Sequence, residues 1–237
     1  MLTCAFAFTV NPSLFSKLPF DTQKDFAPVS LFAYTANFLT VHPSVPARSL
    51  KAFIALAKAQ PGQLTFGSAG NGTASHLAGE LMNSMAGIKL LHTPYKGSTL
   101  AHTDLLGGHI SSAFPGVAVS LPHIRAGRLR ALGVTGLKRA ESLPDVPTIA
   151  ESGPESMKGF EVISWYGLLA PAATPVEIVQ RLNSELNRAL KEPGSAERVK
   201  ALGMDTLHGT PAEFEGFIRR EVAKRGKVIK AVGVRVN

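Results

Sequence analysis

The chain has 237 residues, 45% hydrophobic and 18% charged, which suits one large α/β unit or two small ones and excludes a disordered chain. Its net charge of +8 comes from scattered basic residues with no zinc-finger spacing and no RNA-binding aromatic motif, so nothing points to nucleic acid. A lone cysteine, Cys4, excludes an internal disulfide and cysteine-based metal sites, and no run approaches the roughly 20 apolar residues that cross a bilayer.

Residues 1–10 are apolar, but no Lys or Arg precedes them and no small-residue cleavage site follows, so they do not read as a signal peptide. They read as an interior β-strand whose upstream neighbours are missing, with Leu2, Ala5, Phe6, Phe8 and Val10 left uncovered at a sheet edge. An extended segment follows at 37–42. Next, Leu50, Phe53, Ile54 and Ala57 fall on one helical face, with Ser49 able to cap and Pro61-Gly62 to stop the helix. A strand at 64–66 leads into the loop Gly67-Ser68-Ala69-Gly70-Asn71-Gly72-Thr73. The helix after it turns Leu77, Leu81, Met82 and Met85 inward and ends at Gly87.

Strands are then expected at 88–92, 110–114 and 129–135, with helices at 100–106 and 117–126 between them. Such alternation with short connections marks a mostly parallel sheet covered by helices. A long apolar strand over 160–170, holding Trp165 as a core residue, precedes helices at 175–191, 195–202 and from Pro211 onward. In the last of these, Arg219, Arg220, Lys224, Arg225, Lys227 and Lys230 alternate with apolar residues at helical spacing, as on a solvated face. The extended segments near 37–42 and 164–170 read as connectors on either side of an inserted domain.

The loop 67–73 is the best candidate site, because a strand–glycine loop–helix turn gathers backbone N–H groups at a positive helix end, where carboxylate or phosphate binds. Ser68 and Thr73 could add hydroxyl donors; the other reading is a tight turn with an ordinary cap. An esterase elbow fails because Phe66 stands where it needs glycine, a dinucleotide fingerprint fails at Ser75, and no Walker lysine follows. His76, in the first turn of the helix, either faces a ligand or serves as cap or surface. Tyr95, at a strand's C-terminal end, either lines a cleft or packs in its turn. The histidines share no metal-ligand spacing, so no metal or other cofactor is expected.

Several stretches, in order, resemble the periplasmic solute-binding component of tripartite tricarboxylate transporters, the Bug family. They include Asn11-Pro12-Ser13-Leu14-Phe15, Leu18-Pro19-Phe20-Asp21, Lys24-Asp25-Phe26-Ala27-Pro28 and the run from Pro61-Gly62-Gln63 through Thr73. Further on come Pro94-Tyr95-Lys96-Gly97, Asp104-Leu105-Leu106-Gly107-Gly108, Leu143-Pro144-Asp145-Val146-Pro147-Thr148 and Trp165-Tyr166-Gly167-Leu168-Leu169. The resemblance implies two α/β lobes closing on a ligand like a flytrap, with 1–41 and 165–237 in the first lobe and 42–164 in the second. It also implies capture of a small carboxylate through backbone amides and hydroxyls, membrane transporter subunits as partners, a periplasmic location, no catalysis, and a monomer when complete. On that mapping Ser68, Ala69, Gly70, Gly72 and Thr73 bind the ligand, and Thr9 and Asn11 lie at a first-lobe strand end bordering the cleft. The family's first βα units have no counterpart here, so the first lobe is expected to be incomplete, from a late start codon or a truncated gene. A flytrap sensor of a regulatory system and an α/β transferase or hydrolase are the alternatives; the second lacks a nucleophile–base pair, the first a DNA-binding segment.

Overall fold

A computed structural model describes residues 2–15 and 17–232. In chain order the first elements are β1 (Leu2–Cys4), α1 (Ala5–Leu14), β2 (Phe26–Ala36), β3 (Phe38–Val41), α2 (Leu50–Ala59), β4 (Thr65–Ser68), α3 (Ala74–Ala86), β5 (Leu91–Pro94) and α4 (Ser98–Leu106). There follow β6 (Ser112–Ala113), α5 (Val117–Arg125), β7 (Arg130–Val134), α6 (Ile149–Ser152), a 3-10 turn (Glu155–Met157), β8 (Ile163–Pro171), α7 (Val176–Lys191), α8 (Pro193–Ala201), β9 (Asp205–Thr206) and α9 (Pro211–Val232). They form two compact units, Met1–Thr35 with Ser164–Asn237, and Ala36–Ile163. The chain leaves the first unit at the end of β2 and returns to it along β8.

The expected division after residue 41 would leave β3 with the first unit. The strand pairs instead with β6 and β7, inside the second. There the sheet order is β5-β4-β6-β3-β7. β4 is parallel to both β5 and β6, while β3 is antiparallel to its two neighbours. β3, the first strand of this sheet in the chain, is the one that opposes the others. Core residues Leu105, Ile110, Ala113 and Leu129 pack in one cluster, Phe38, Val117 and Val134 in another. Ser49 caps α2 as expected, accepting from the Ala52 amide at 3.2 Å.

Two strands differ from their expected bounds for local reasons. The segment 88–90 stays out of the ladder because Asn83 binds both the amide and the carbonyl of Leu90, at 2.8 and 3.1 Å, so β5 starts at Leu91. β6 is short because side chains take over its ladder: Ser112 Oγ donates to the Thr65 carbonyl and the Ser111 amide to Thr65 Oγ1.

The first unit carries a sheet of order β1-β8-β2-β9, with β1 antiparallel to β8 and β9 antiparallel to β2. Phe8, Trp165, Leu169, Phe214 and Ile218 form a core cluster in it. Here the expected strand over 1–10 is corrected: only Leu2–Cys4 is strand, and Ala5–Leu14 is helix. A short apolar run has no period of its own that tells strand from helix, and the packing partner decides. Phe6, Val10 and Leu14, four apart, are all buried, and Arg225 of α9 lies 5.1 Å from the centroid of the Phe6 ring. Ser13 Oγ comes within 3.0 Å of where a Gly226 side chain would begin, so α1 lies close along α9 where that helix is bare. Phe6, Phe8 and Val10 are covered, not left at an open edge.

Candidate functional site

The loop between β4 and α3 holds the candidate site. Gly67 ends up against its own unit, since a β-carbon there would lie 2.5 Å from Ile110 and 3.4 Å from the Tyr95 ring. Gly70 and Gly72 have φ of 129° and 76°, a region that suits only glycine comfortably. These angles let the chain turn sharply enough for Thr73 to cap α3, its Oγ1 accepting from the His76 amide at 3.5 Å.

Most of the loop's polar groups bind one another. Ser68 is buried, and its Oγ lies 2.6 Å from His92 Nε2, accepts from the Gly70 amide at 3.1 Å and reaches the Gly70 carbonyl at 3.2 Å. The Ala69 amide donates to Ser75 Oγ at 3.1 Å, and the Gly72 amide donates to His76 Nδ1 at 3.1 Å. Thr73 Oγ1 gives its proton to the Gly70 carbonyl at 2.7 Å. The backbone of the loop is tied to the β5 end of the sheet by Tyr95 N–H to the Ser68 carbonyl and Gly97 N–H to the Ala69 carbonyl.

In the loop and the first turn of α3, the backbone donors without a partner among the described residues are the amides of Asn71, Ala74 and Ser75. Asn71 is exposed, and Ala74 and Ser75 form the first turn of α3, where helix amides have no internal acceptor. The Ser75 hydroxyl is not free: it accepts from the Ala69 amide and, because Thr73 Oγ1 gives its own proton to Gly70, donates to Thr73 Oγ1 at 3.1 Å. No Lys or Arg lies in the loop. The arrangement therefore offers neutral donors at the positive end of a helix dipole.

The expected site residues fall into distinct places. Ser68, Ala69, Gly70, Gly72, Thr73 and His76 are brought together, but Ser68 and His76 are buried and turned into the unit. His76 does not face outward: it is 4% exposed, and its ring holds Gly72. Tyr95 is a packed turn residue whose hydroxyl donates to Asp104 at 2.7 Å; burial, then that carboxylate, pushes its pKa up to about 12. Thr9 and Asn11 belong to the other unit and lie on α1, not at a strand end; Thr9 is fully buried, and its Oγ1 donates to the Phe6 carbonyl at 3.2 Å. Sequence reasoning missed Asn71, Ser75 and His92. A hydroxyl in the first turn after a glycine loop was the visible signal for Ser75; for His92 there was none, since only the sheet brings it to the loop.

Known proteins agree with this architecture. A protein from the tcbD-tcbE intergenic region of Pseudomonas sp. is 39% identical over 220 residues, which cover 93% of this chain and 65% of that protein. BugT of Bordetella pertussis is 34% identical over 228 residues, covering 96% of this chain and 69% of BugT. The chain thus spans about two thirds of the length of these relatives. Among solved structures, an R. palustris protein with adipate superposes with a TM-score of 0.89 at 31% identity, covering 99% of this chain and 78% of its own. The periplasmic binding protein BugD gives 0.86 at 31%, covering 98% and 77%. MatC from Rhodopseudomonas palustris with bound malate gives 0.79 at 27%, covering 95% and 75%. The fold is that of α/β periplasmic binding proteins. With the model of the tripartite tricarboxylate transporter family receptor matching residues 1–234, the chain belongs to that receptor family.

Proposed function

We propose that this chain is the solute-binding receptor of a tripartite transporter, working outside the cytoplasmic membrane and without catalysis. Its ligand is a small carboxylate, and its partners are the membrane subunits of the transporter. The units Ala36–Ile163 and Met1–Thr35 with Ser164–Asn237 act as its two lobes. The carrying observation is the cluster of unengaged amides at Asn71, Ala74 and Ser75, in a loop without a charged side chain. Adipate and malate in related structures match the chemistry those donors select.

Three amides on a carboxylate, at roughly 1.5–3 kcal/mol each, supply about 4–9 kcal/mol. Micromolar affinity needs about 8 kcal/mol net, after association costs of similar size. The loop therefore holds one carboxylate, and the rest of the ligand must be gripped by further groups that set selectivity. A thermal-shift screen of the chain against adipate, malate, tricarboxylates, amino acids and aromatic acids tests this. One or a few related acids should stabilise it, with the shift growing as ligand exceeds its Kd. Equal stabilisation by phosphate and sulfate would reduce the loop to a generic anion site, and turnover of any of these acids would overturn the receptor reading.

A further inference from the structure

Two imidazole rings lie beneath the glycine loop. His76 comes from α3 and His92 from β5; their centroids are 4.0 Å apart with 13° between the planes. Phe66 of β4 extends the stack, 4.8 Å from His92. Each ring holds the loop by one nitrogen, His76 through the Gly72 amide and His92 through Ser68, which in turn binds Gly70. We propose that His76 and His92 are positioning residues of the ligand loop, a neutral imidazole stack whose protonation releases Gly72 and couples occupancy of the loop to pH. This rests on the loop being the carboxylate site.

The chemistry follows from the direction of one hydrogen bond. His76 Nδ1 accepts from Gly72, so in the neutral ring the proton sits on Nε2. A second proton has to go on Nδ1, which turns the acceptor into a donor facing another donor 3.1 Å away. The Gly72 segment must then move. The charged and titratable groups facing the ring do little to favour the cation. Glu80, on the same helix, is 3.9 Å from Nε2, beyond hydrogen-bonding distance, and burial raises its own pKa. His92 faces the ring from β5, and Phe66 of β4 is apolar. Burial, then the His92 ring, lowers the pKa of His76 to about 4; burial lowers that of His92 as well. A histidine whose folded pKa lies below its free value binds its proton late. The loop is therefore fully held above the ordinary histidine range and is given up as pH falls toward about 4.

The test begins without ligand. Imidazole nitrogen shifts should show His76 as the Nε2–H tautomer at neutral pH. Amide exchange of Gly72, taken relative to the intrinsic rate at each pH, should lose protection with the same midpoint as the His76 titration. His76→Leu should lose protection at every pH, by roughly tenfold, the factor an ordinary hydrogen bond supplies. His76→Asn places an amide oxygen where Nδ1 stood and should restore most of that protection without the pH dependence. A Nδ1–H tautomer, or a Gly72 amide indifferent to His76→Leu, overturns the proposal. With adipate as probe, affinity of the wild-type chain should fall more steeply on acidification than that of His76→Asn, which keeps the titrations of adipate and His92 but lacks that of His76; identical profiles overturn the coupling. If neither protein binds adipate, the receptor reading loses that ligand, and the Gly72 exchange alone decides the role of the histidines.

Discussion

Gly79 sits in the middle of α3, where alanine ordinarily gains about 1 kcal/mol of helix propensity. A β-carbon there would lie 2.1 Å from the Phe66 ring, and Phe66 is fully buried and stacked on His92. The ring cannot withdraw without displacing the histidine that holds Ser68. Overpacking of this kind costs about 1–3 kcal/mol and outweighs the propensity gain. Gly79→Ala is therefore expected to lower stability by about 1–2 kcal/mol, read from the midpoint of urea unfolding. A higher midpoint would show that the ring yields. The same contact explains why α3 sits close enough to β4 for its first turn to stand over the loop.

Helix α9, which packs along α1, carries a buried ion pair between Glu221 and Arg225, one turn apart. Arg225 is wholly buried, and its guanidinium binds Glu221 Oε2 at 3.0 Å through Nε and 2.7 Å through Nη2, while its central carbon lies over the Phe6 ring. Buried pairs of this sort add little net stability, yet removing one partner leaves the other charge unpaired in the interior, at about 3–5 kcal/mol. Arg225→Met should destabilise the first unit by that order, while the double change with Glu221→Gln should recover much of the loss. Unfolding followed by tryptophan fluorescence reports it, because Trp165 belongs to the same unit. A single variant as stable as the wild type would mean that the pair is dispensable.

At the scale of the whole molecule, the second unit is one continuous stretch of chain, with every strand of its sheet inside it. About 130 residues is well above the length at which a single core suffices for folding. The fragment 36–163 is expected to fold alone, with dispersed amide resonances and one cooperative unfolding transition. It should keep the His76–His92 stack, since both rings and all the loop's partners lie within it. A fragment with random-coil shifts would show that the unit depends on the rest of the chain. The first unit offers no such fragment, because its sheet joins strands from both ends of the chain.

From Ser49 to Thr135 the order of strands and helices was legible in the residues, as was the cap at Ser49. These features are local: a hydroxyl reaches an amide three positions on, and apolar spacing shows which face is covered. Residues 5–14 were not legible, because an apolar run becomes helix or strand according to what covers it, and α9 lies some 200 positions away in sequence. Nor did the residues reveal which loop donors stay free. Ser68, Gly70 and Gly72 looked like ligand groups, but Ser68 and Gly72 are occupied by His92 and His76, and the sheet register that sets Phe66 beside His92 brings those rings together. Local chemistry could write a loop rich in donors; only the tertiary structure, by filling some of them from beneath, decided that the amides of Asn71, Ala74 and Ser75 are the ones left unengaged.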